Sequence, residues 1–195
     1  MEVLMKKYFV GIFIFLLGCG NGSDVLTHSG ICDGYTISSS SPYRLPWAAG
    51  TARAIAQGNC ASVSHFGSQR YAYDIDMPVG TSVLAARGGT VIEVTENNQD
   101  GNGCPLDNNV YIQHSDGTVA GYIHLTLNGA LVNVGDIVSQ GQAIALSGNT
   151  GCSSGAHLHF VVFKNRDKED SVPVTFLNTT LHRRGLRAGE NYLAN

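Results

Sequence analysis

From Tyr71 onward the chain is written in short apolar or alternating runs, each broken within a few residues by Gly, Asn or Asp. Val83 to Ala85, Thr90 to Thr95, Val110 to His114, Val119 to His124, Ala143 to Ser147 and His157 to Phe163 are such runs. They are too short for amphipathic helices and rich in Val, Ile and Tyr, so they predict strands. Glycine supplies 24 of 195 residues, against a usual share of about 7%. Tight turns and close backbone approaches account for that excess. The expected fold is all-β, an antiparallel sheet core. One short helix is expected ahead of it, around Ala52 to Ala56.

A faint internal repeat adds to this. Val79-Gly80-Thr81-Ser82-Val83, followed by Gly89 and Val91, parallels Val134-Gly135-Asp136-Ile137-Val138, followed by Gly141 and Ile144. Two related strand–turn–strand units suggest a duplicated β-core. Biotin- and lipoyl-carrier domains share this kind of repeat but need an exposed lysine at a hairpin tip. The lysines here are Lys6, Lys7, Lys164 and Lys168, none of them inside the repeat, so a carrier is excluded.

Chemistry enters at Gly155-Ala156-His157-Leu158-His159-Phe160. In a strand, residues two apart project from one face, so both imidazoles point at one spot while Leu158 and Phe160 turn away. Ser64-His65-Phe66-Gly67 and Tyr71-Ala72-Tyr73-Asp74-Ile75-Asp76 supply a further histidine and carboxylates. Three such ligands with an open fourth position make a catalytic zinc site. Spacing alone does not choose between Asp74 and Asp76.

These motifs resemble the lysostaphin-type zinc endopeptidases, the LytM-like and LasA-like enzymes that cut peptidoglycan peptides. The likeness runs from about Ser64 to Phe163. It is carried by His65, by Asp74 ahead of Pro78-Val79-Gly80-Thr81, by Tyr122-Ile123-His124-Leu125, and by Gly148-Asn149-Thr150-Gly151 leading into the His-x-His strand. The resemblance implies that His65, Asp74 and His159 bind Zn2+, with Asp76 outside the ligand set. It also implies that His157 and His124 are the catalytic histidines. It further implies a duplicated, hybrid-motif-like core with a narrow substrate groove. Much of the family spaces its first ligand pair as His-x-x-x-Asp. Here the gap is nine residues, as a loop insertion gives.

The chain lacks His-Glu-x-x-His, and Glu93, Glu96, Glu169 and Glu190 lie outside the motifs. Histidine is therefore left as the base, with a reference pKa near 6.5 that suits it. His157 is expected to be the general base, and His124 to orient the water or stabilise the oxyanion. His28, His114 and His182 read as structural or surface residues. Tyr71, Tyr73, Tyr122 and Asn109 are possible neighbours of the cleft, with buried packing the commoner fate of a strand tyrosine. Asn97 to Asp107 and Leu125 to Leu131 are the expected groove walls.

The N-terminus carries Lys6 and Lys7 ahead of an apolar run from Tyr8 to Leu17, too short to span a bilayer and suited to a secretory signal. Leu16-Leu17-Gly18-Cys19 looks like a bacterial lipobox, which predicts membrane attachment through lipidated Cys19. Gly20 follows it in place of Asp, which points to an outer-membrane lipoprotein facing the periplasm. Assigning Cys19 to lipid leaves an even set: Cys32, Cys60, Cys104 and Cys152. Four cysteines allow three pairings, of which Cys104–Cys152 with Cys32–Cys60 is favoured.

The expected layout is a signal at 1–18, a lipidated tether at 19–40 and an N-terminal extension at 41–62. The zinc peptidase core follows at 63–165, then a C-terminal extension at 166–195. Removing Glu2, Lys6 and Lys7 with the signal leaves 14 acidic and 10 basic residues, a formal charge of −4 against −3 for the whole chain. That excludes a nucleic-acid partner, and a monomer is expected. The reading is a zinc-dependent endopeptidase acting on peptidoglycan stem peptides or cross-links in the cell envelope. The alternative is a catalytically inactive wall-binding activator of another hydrolase.

Overall fold

The computed structural model describes residues 32, 34–35, 38–179 and 185–195. The expected signal, the lipobox with Cys19, His28 and the basic cluster around His182 lie outside them. No helix among the described residues is long and apolar enough to cross a membrane.

Among the described residues, eleven strands form two antiparallel sheets. In chain order they are β1 (Ala52–Gln57), β2 (Tyr73–Asp76), β3 (Ser82–Leu84), β4 (Gly89–Thr95), β5 (Asn109–Gln113), β6 (Val119–Ile123), β7 (Leu125–Ala130), β8 (Ile137–Val138), β9 (Ala143–Ser147), β10 (His157–Phe163) and β11 (Asn191–Leu193). The large sheet runs β11-β1-β2-β10-β6-β5-β4-β8 and the small one β3-β9-β7. The fold is all-β, as the pattern of short runs predicts.

One expectation fails. Ala52 to Ala56 is not helical but forms β1, paired with β2 on one side and β11 on the other. Alanine's helix preference is a weak prior. Two strand edges and a core position for Ile55, 1% exposed, outweigh it.

The internal repeat is interlocked rather than stacked. β3 of the first unit pairs with β9 of the second, and β8 of the second pairs with β4 of the first. The turns match bond for bond. Gly80 N–H donates to Ser147 O while Ser147 N–H donates to Thr81 O. Likewise Gly135 N–H donates to Val91 O while Val91 N–H donates to Asp136 O. Gly80 and Gly135 take φ of 82° and 97°, a left-handed conformation that suits glycine.

β10 lies inside the large sheet, between β2 and β6. Its Leu158, Phe160 and Val162 enter the main core with Tyr73, Ile75, Ile112 and Tyr122, which also takes in Val83, Leu125 and Ile144 of the small sheet. Full burial of a side chain such as Phe160 contributes about 1.5–3 kcal/mol. On the opposite face, Val161 and Phe163 join Tyr111 and Ile123 in a second cluster. His157 and His159 share that face, at its groove end. Trp47, Tyr43, Leu45, Leu186 and Tyr192 are buried in the main core, so segments on both flanks of residues 63–165 pack into the same body. The two disulfides are Cys32–Cys60 and Cys104–Cys152, the favoured pairing.

Candidate metal centre

Strand register assembles the site. Asp74 of β2 stands directly opposite His159 of β10, and His159 opposite Ile123 of β6. The same row continues to Gln57 of β1 on one side and Asn109 of β5 on the other. His124 follows Ile123 and would point through the sheet if β6 simply continued. Instead it takes φ of 66°, uncommon for a residue with a Cβ and found where function holds it. This bend brings its ring to the His-x-His face, 4.7 Å from the His157 ring and 5.8 Å from the His159 ring between centroids. His65 arrives from the loop before β2, its ring 5.2 Å from that of His159.

Asp74 Oδ1 is the hub. It lies 2.8 Å from His159 Nδ1, 3.2 Å from His65 Nε2 and 3.6 Å from His157 Nε2. Its other oxygen accepts from Gln57 Nε2 at 3.2 Å. Each histidine is tied on its outer ring nitrogen. His65 Nδ1–H donates to Gly58 O at 2.7 Å, His124 Nδ1–H to Thr150 O at 2.7 Å and His157 Nδ1–H to Gly155 O at 2.8 Å. A carbonyl can only accept, so these three rings carry their proton on Nδ1 and leave Nε2 as a lone pair. His159 has the opposite orientation, with Nε2 3.0 Å from Gln69 Oε1 and Nδ1 turned inward.

Burial acts to raise the Asp74 carboxyl, but the neighbouring His159 and His65 imidazoles together outweigh it and hold the group well below the usual carboxylate range. Burial, and then the neighbouring His157 and His159 rings, push His124 down to about 4. Burial likewise lowers His159. At neutral pH His124 and His159 are therefore neutral, the form that ligates metals and accepts protons.

His65 Nε2 is buried and makes no hydrogen bond, although a carboxylate oxygen lies 3.2 Å away. A lone pair facing an anion at that distance is repulsive unless a cation shares them. Donor atoms of His65, Asp74 and His159 lie within 4.8 Å of one another, as do those of His124, His157 and His159. Two imidazoles and a carboxylate are the donor types zinc takes in open sites. The residues fit a metal.

Residues 68–171 match the model of peptidase family M23. The chain belongs to this family. Asp74, His124, His157 and His159 fall inside the M23 match, and His65 lies three residues before it. The chain is 40% identical over 87 residues to the peptidoglycan DD-endopeptidase ShyA of Vibrio cholerae, covering 45% of this chain and 18% of that protein. It is 35% identical over 112 residues to lysostaphin of Staphylococcus simulans, covering 55% and 21%. A crystal structure of a zinc-containing peptidase from Vibrio cholerae superposes with a TM-score of 0.51 at 29% identity, covering 69% of this chain and 39% of that one. The chain therefore spans about a fifth of the length of the two curated relatives. The deep-sea M23 metalloprotease pseudoalterin shares the fold at a TM-score of 0.54 and 20% identity, over 80% of this chain and 96% of its own.

His124, His157 and His159, which fall within the M23 match, line a groove of about 730 Å³ together with Asp74. One bank is Val63, Ser64 and Gln69 with Gln57 of β1, and the other is Gly103 to Asp107 with Gly151 to Ser154. The expected wall at Asn97 to Asp107 is thus present in part, and Leu125 to Leu131 does not line the groove. That segment contains β7, whose Leu125 is buried in the main core. The His65-to-Asp74 insertion contributes Gln69 to the first bank. Tyr73 and Tyr122 are core residues whose hydroxyls bond Val174 O and Ala86 N–H. Asn109 is buried and donates to Asp107 Oδ1 at 2.8 Å. His114 lies away from the groove, bonded to Gly88 O and stacked edge-on to Tyr43. Sequence reasoning missed Gln57 and Gln69. It also missed the three backbone carbonyls, which no residue type signals.

Proposed function

We propose that this M23 protein is a zinc-dependent endopeptidase that hydrolyses peptide bonds of peptidoglycan stem peptides or cross-links. The observation that carries this reading is the convergence of inward ring nitrogens of His65, His157 and His159 on Asp74, with His124 beside His157 and His159 and every outer nitrogen held by an oxygen. His65, Asp74 and His159 hold the zinc in this reading. Zinc acidifies a bound water toward a pKa of about 7 and polarises an amide carbonyl.

The remaining chemistry falls to the chain. His157, with Nδ1–H on Gly155 O, offers Nε2 to take a proton from the attacking water and later return one to the leaving amine. His124 is neutral with its proton on Nδ1, so its Nε2 accepts a hydrogen bond. This suits orienting the water better than donating to an oxyanion. The complete set of five side chains speaks against an inactive wall-binding activator.

The relative named as a peptidoglycan DD-endopeptidase supports a wall peptide as substrate. In the same reading the protein is exported and held at the outer membrane through lipidated Cys19, where D-alanyl cross-links between stems are the target at hand. The segment from Lys6 to Cys19 supports this placement.

Purified peptidoglycan is the test substrate, incubated with wild type and with His159→Ala, with and without added zinc. New peptide termini identified by mass spectrometry in the wild-type digest alone are expected. Intact peptidoglycan in the presence of zinc-loaded wild type would overturn the assignment.

A further inference from the structure

The nine-residue step from His65 to Asp74 is longer than the His-x-x-x-Asp spacing, and the structure shows what the extra residues build. Residues Gly67–Gln69 form a 3-10 turn. Gln69 N–H donates to Phe66 O, and Ala72 N–H donates to Gln69 O. The main chain thus supplies the bonds that shape this turn, and a substitution at position 69 that keeps the backbone N–H leaves them in place. The Gln69 side chain leaves the turn and meets His159, with Oε1 3.0 Å from Nε2.

Each of the three candidate ligands then has its own outer partner. His65 has Gly58 O, Asp74 has Gln57 Nε2 and His159 has Gln69 Oε1. The third is the informative one. His159 is flanked by oxygen on both ring nitrogens, Asp74 Oδ1 at Nδ1 and Gln69 Oε1 at Nε2. A neutral imidazole has one N–H and one lone pair. If the proton sat on Nδ1, the Nε2 lone pair would face the amide oxygen at hydrogen-bond distance. With the proton on Nε2, the bond to Gln69 forms and the Nδ1 lone pair is released inward, beside the Asp74 carboxylate, where a cation satisfies both. An outer acceptor also raises the basicity of a ligating imidazole and fixes its orientation.

We infer that Gln69 is a positioning residue of the metal centre, the acceptor that holds the proton of His159 on Nε2 so that Nδ1 faces the metal. The inference rests on the reading of His65, Asp74 and His159 as zinc ligands. It also gives the insertion a role: it carries to the groove wall the side chain that sets the tautomer of a ligand.

The test is zinc affinity of the full chain, measured by competition with a chromophoric chelator, for wild type, Gln69→Met, Gln69→Glu and His159→Ala. Gln69→Met keeps length and removes the acceptor, so zinc is expected to bind roughly 10–100-fold more weakly. The metal-free variant should unfold thermally as wild type does. Gln69→Glu keeps an acceptor at the same reach and is expected to bind zinc at least as tightly as wild type. Wild-type affinity in Gln69→Met would overturn the inference, and so would an equal loss in Met and Glu variants, which marks a packing role. If His159→Ala bound zinc as wild type does, the ligand assignment itself would fail and the inference with it. Should Gln69→Met not fold, long-range 1H–15N spectra of the zinc-loaded wild type decide the matter. A proton on His159 Nε2 supports the inference, and a proton on Nδ1 overturns it.

Discussion

Removing the Cys104–Cys152 bridge should separate metal binding from turnover. The bridge closes a loop with a sequence separation of 48 residues, and on the chain-entropy relation its loss from the unfolded state corresponds to about 4 kcal/mol. Both cysteines line the groove, and Cys152 lies between Thr150 and Gly155, whose carbonyls hold His124 and His157. The two carbonyls are not equally dependent on it. Thr150 is anchored independently, its Oγ1 accepting from Asn108 N–H at 2.9 Å and donating to Leu125 O at 2.8 Å. Gly155 is bonded through the Ser153 hydroxyl, one residue past the bridge. In Cys104→Ser/Cys152→Ser, His157 should therefore lose its orientation before His124 does. His65, Asp74 and His159 lie outside the bridged loop's tip and should still bind zinc. Urea unfolding should show a loss approaching 4 kcal/mol, zinc content should stay at one per chain, and kcat on a defined wall peptide should fall about tenfold, or about 1.4 kcal/mol in the barrier. An unchanged kcat in the folded double variant, or zinc loss ahead of the kcat loss, would refute this account of the loop.

His157→Ala should retain zinc by elemental analysis while losing roughly 10²–10⁴-fold in turnover, the usual contribution of a positioned acid–base group. His65→Ala should lose the metal. Gly151→Ala places a Cβ 2.6 Å from Asp107 Cβ and 3.0 Å from its Cα at a φ of 74°. The dihedral alone costs about 1–2 kcal/mol, so a loss of at least that much is expected in urea unfolding. Burial holds the His114 imidazole below its ordinary range, with Arg87 adding to the effect, while the Gly88 carbonyl and Asp116 act against it; the Tyr43 ring packs beside it. The unfolded chain therefore takes up this proton first. The stability His114 contributes is fully present above its unfolded pKa of about 6.5, and is lost as pH falls from there toward the folded value. His114→Asn, which keeps an N–H for Gly88 O, should show a shallower fall in unfolding free energy between pH 7 and 5; parallel curves would exclude the effect.

How much of this was legible in the sequence depends on which interactions have a side-chain signature. The period of two in His157-Leu158-His159-Phe160 places two imidazoles on one face, so that pair is legible directly, whereas Asp74 opposite His159 depends on strand register, which no spacing shows. Cysteine parity pointed to the two bridges. Ala52 to Ala56 reads as a helix because its alternating alanines carry no strand signal, yet it lies in β1. What makes it a strand is pairing with β2 and β11, which no local window contains. The second groove bank was misplaced for a related reason. Leu125 to Leu131 reads like a loop between strands, yet Leu125 is fixed in the core. The insertion between His65 and Asp74 passes for a solvated loop until its turn at Gly67–Gln69 brings Gln69 to His159. The φ of 66° at His124 was equally hidden, because histidine is not a residue from which a left-handed bend is expected.

The pairing of β1 with β11 also bears on when the site can exist. β1 carries Gln57 and leads into Gly58, the outer partners of Asp74 and His65, and one of its two edges is held by Asn191 to Leu193. Arg53 waits for Tyr192 across nearly the whole domain. A chain still being made or threaded across a membrane has β2, β6 and β10 before it has the strand that steadies β1. Assembly of the proposed metal centre is thereby tied to arrival of the C-terminal strand, and a chain clipped before Asn191 keeps every proposed ligand while losing the support behind two of them.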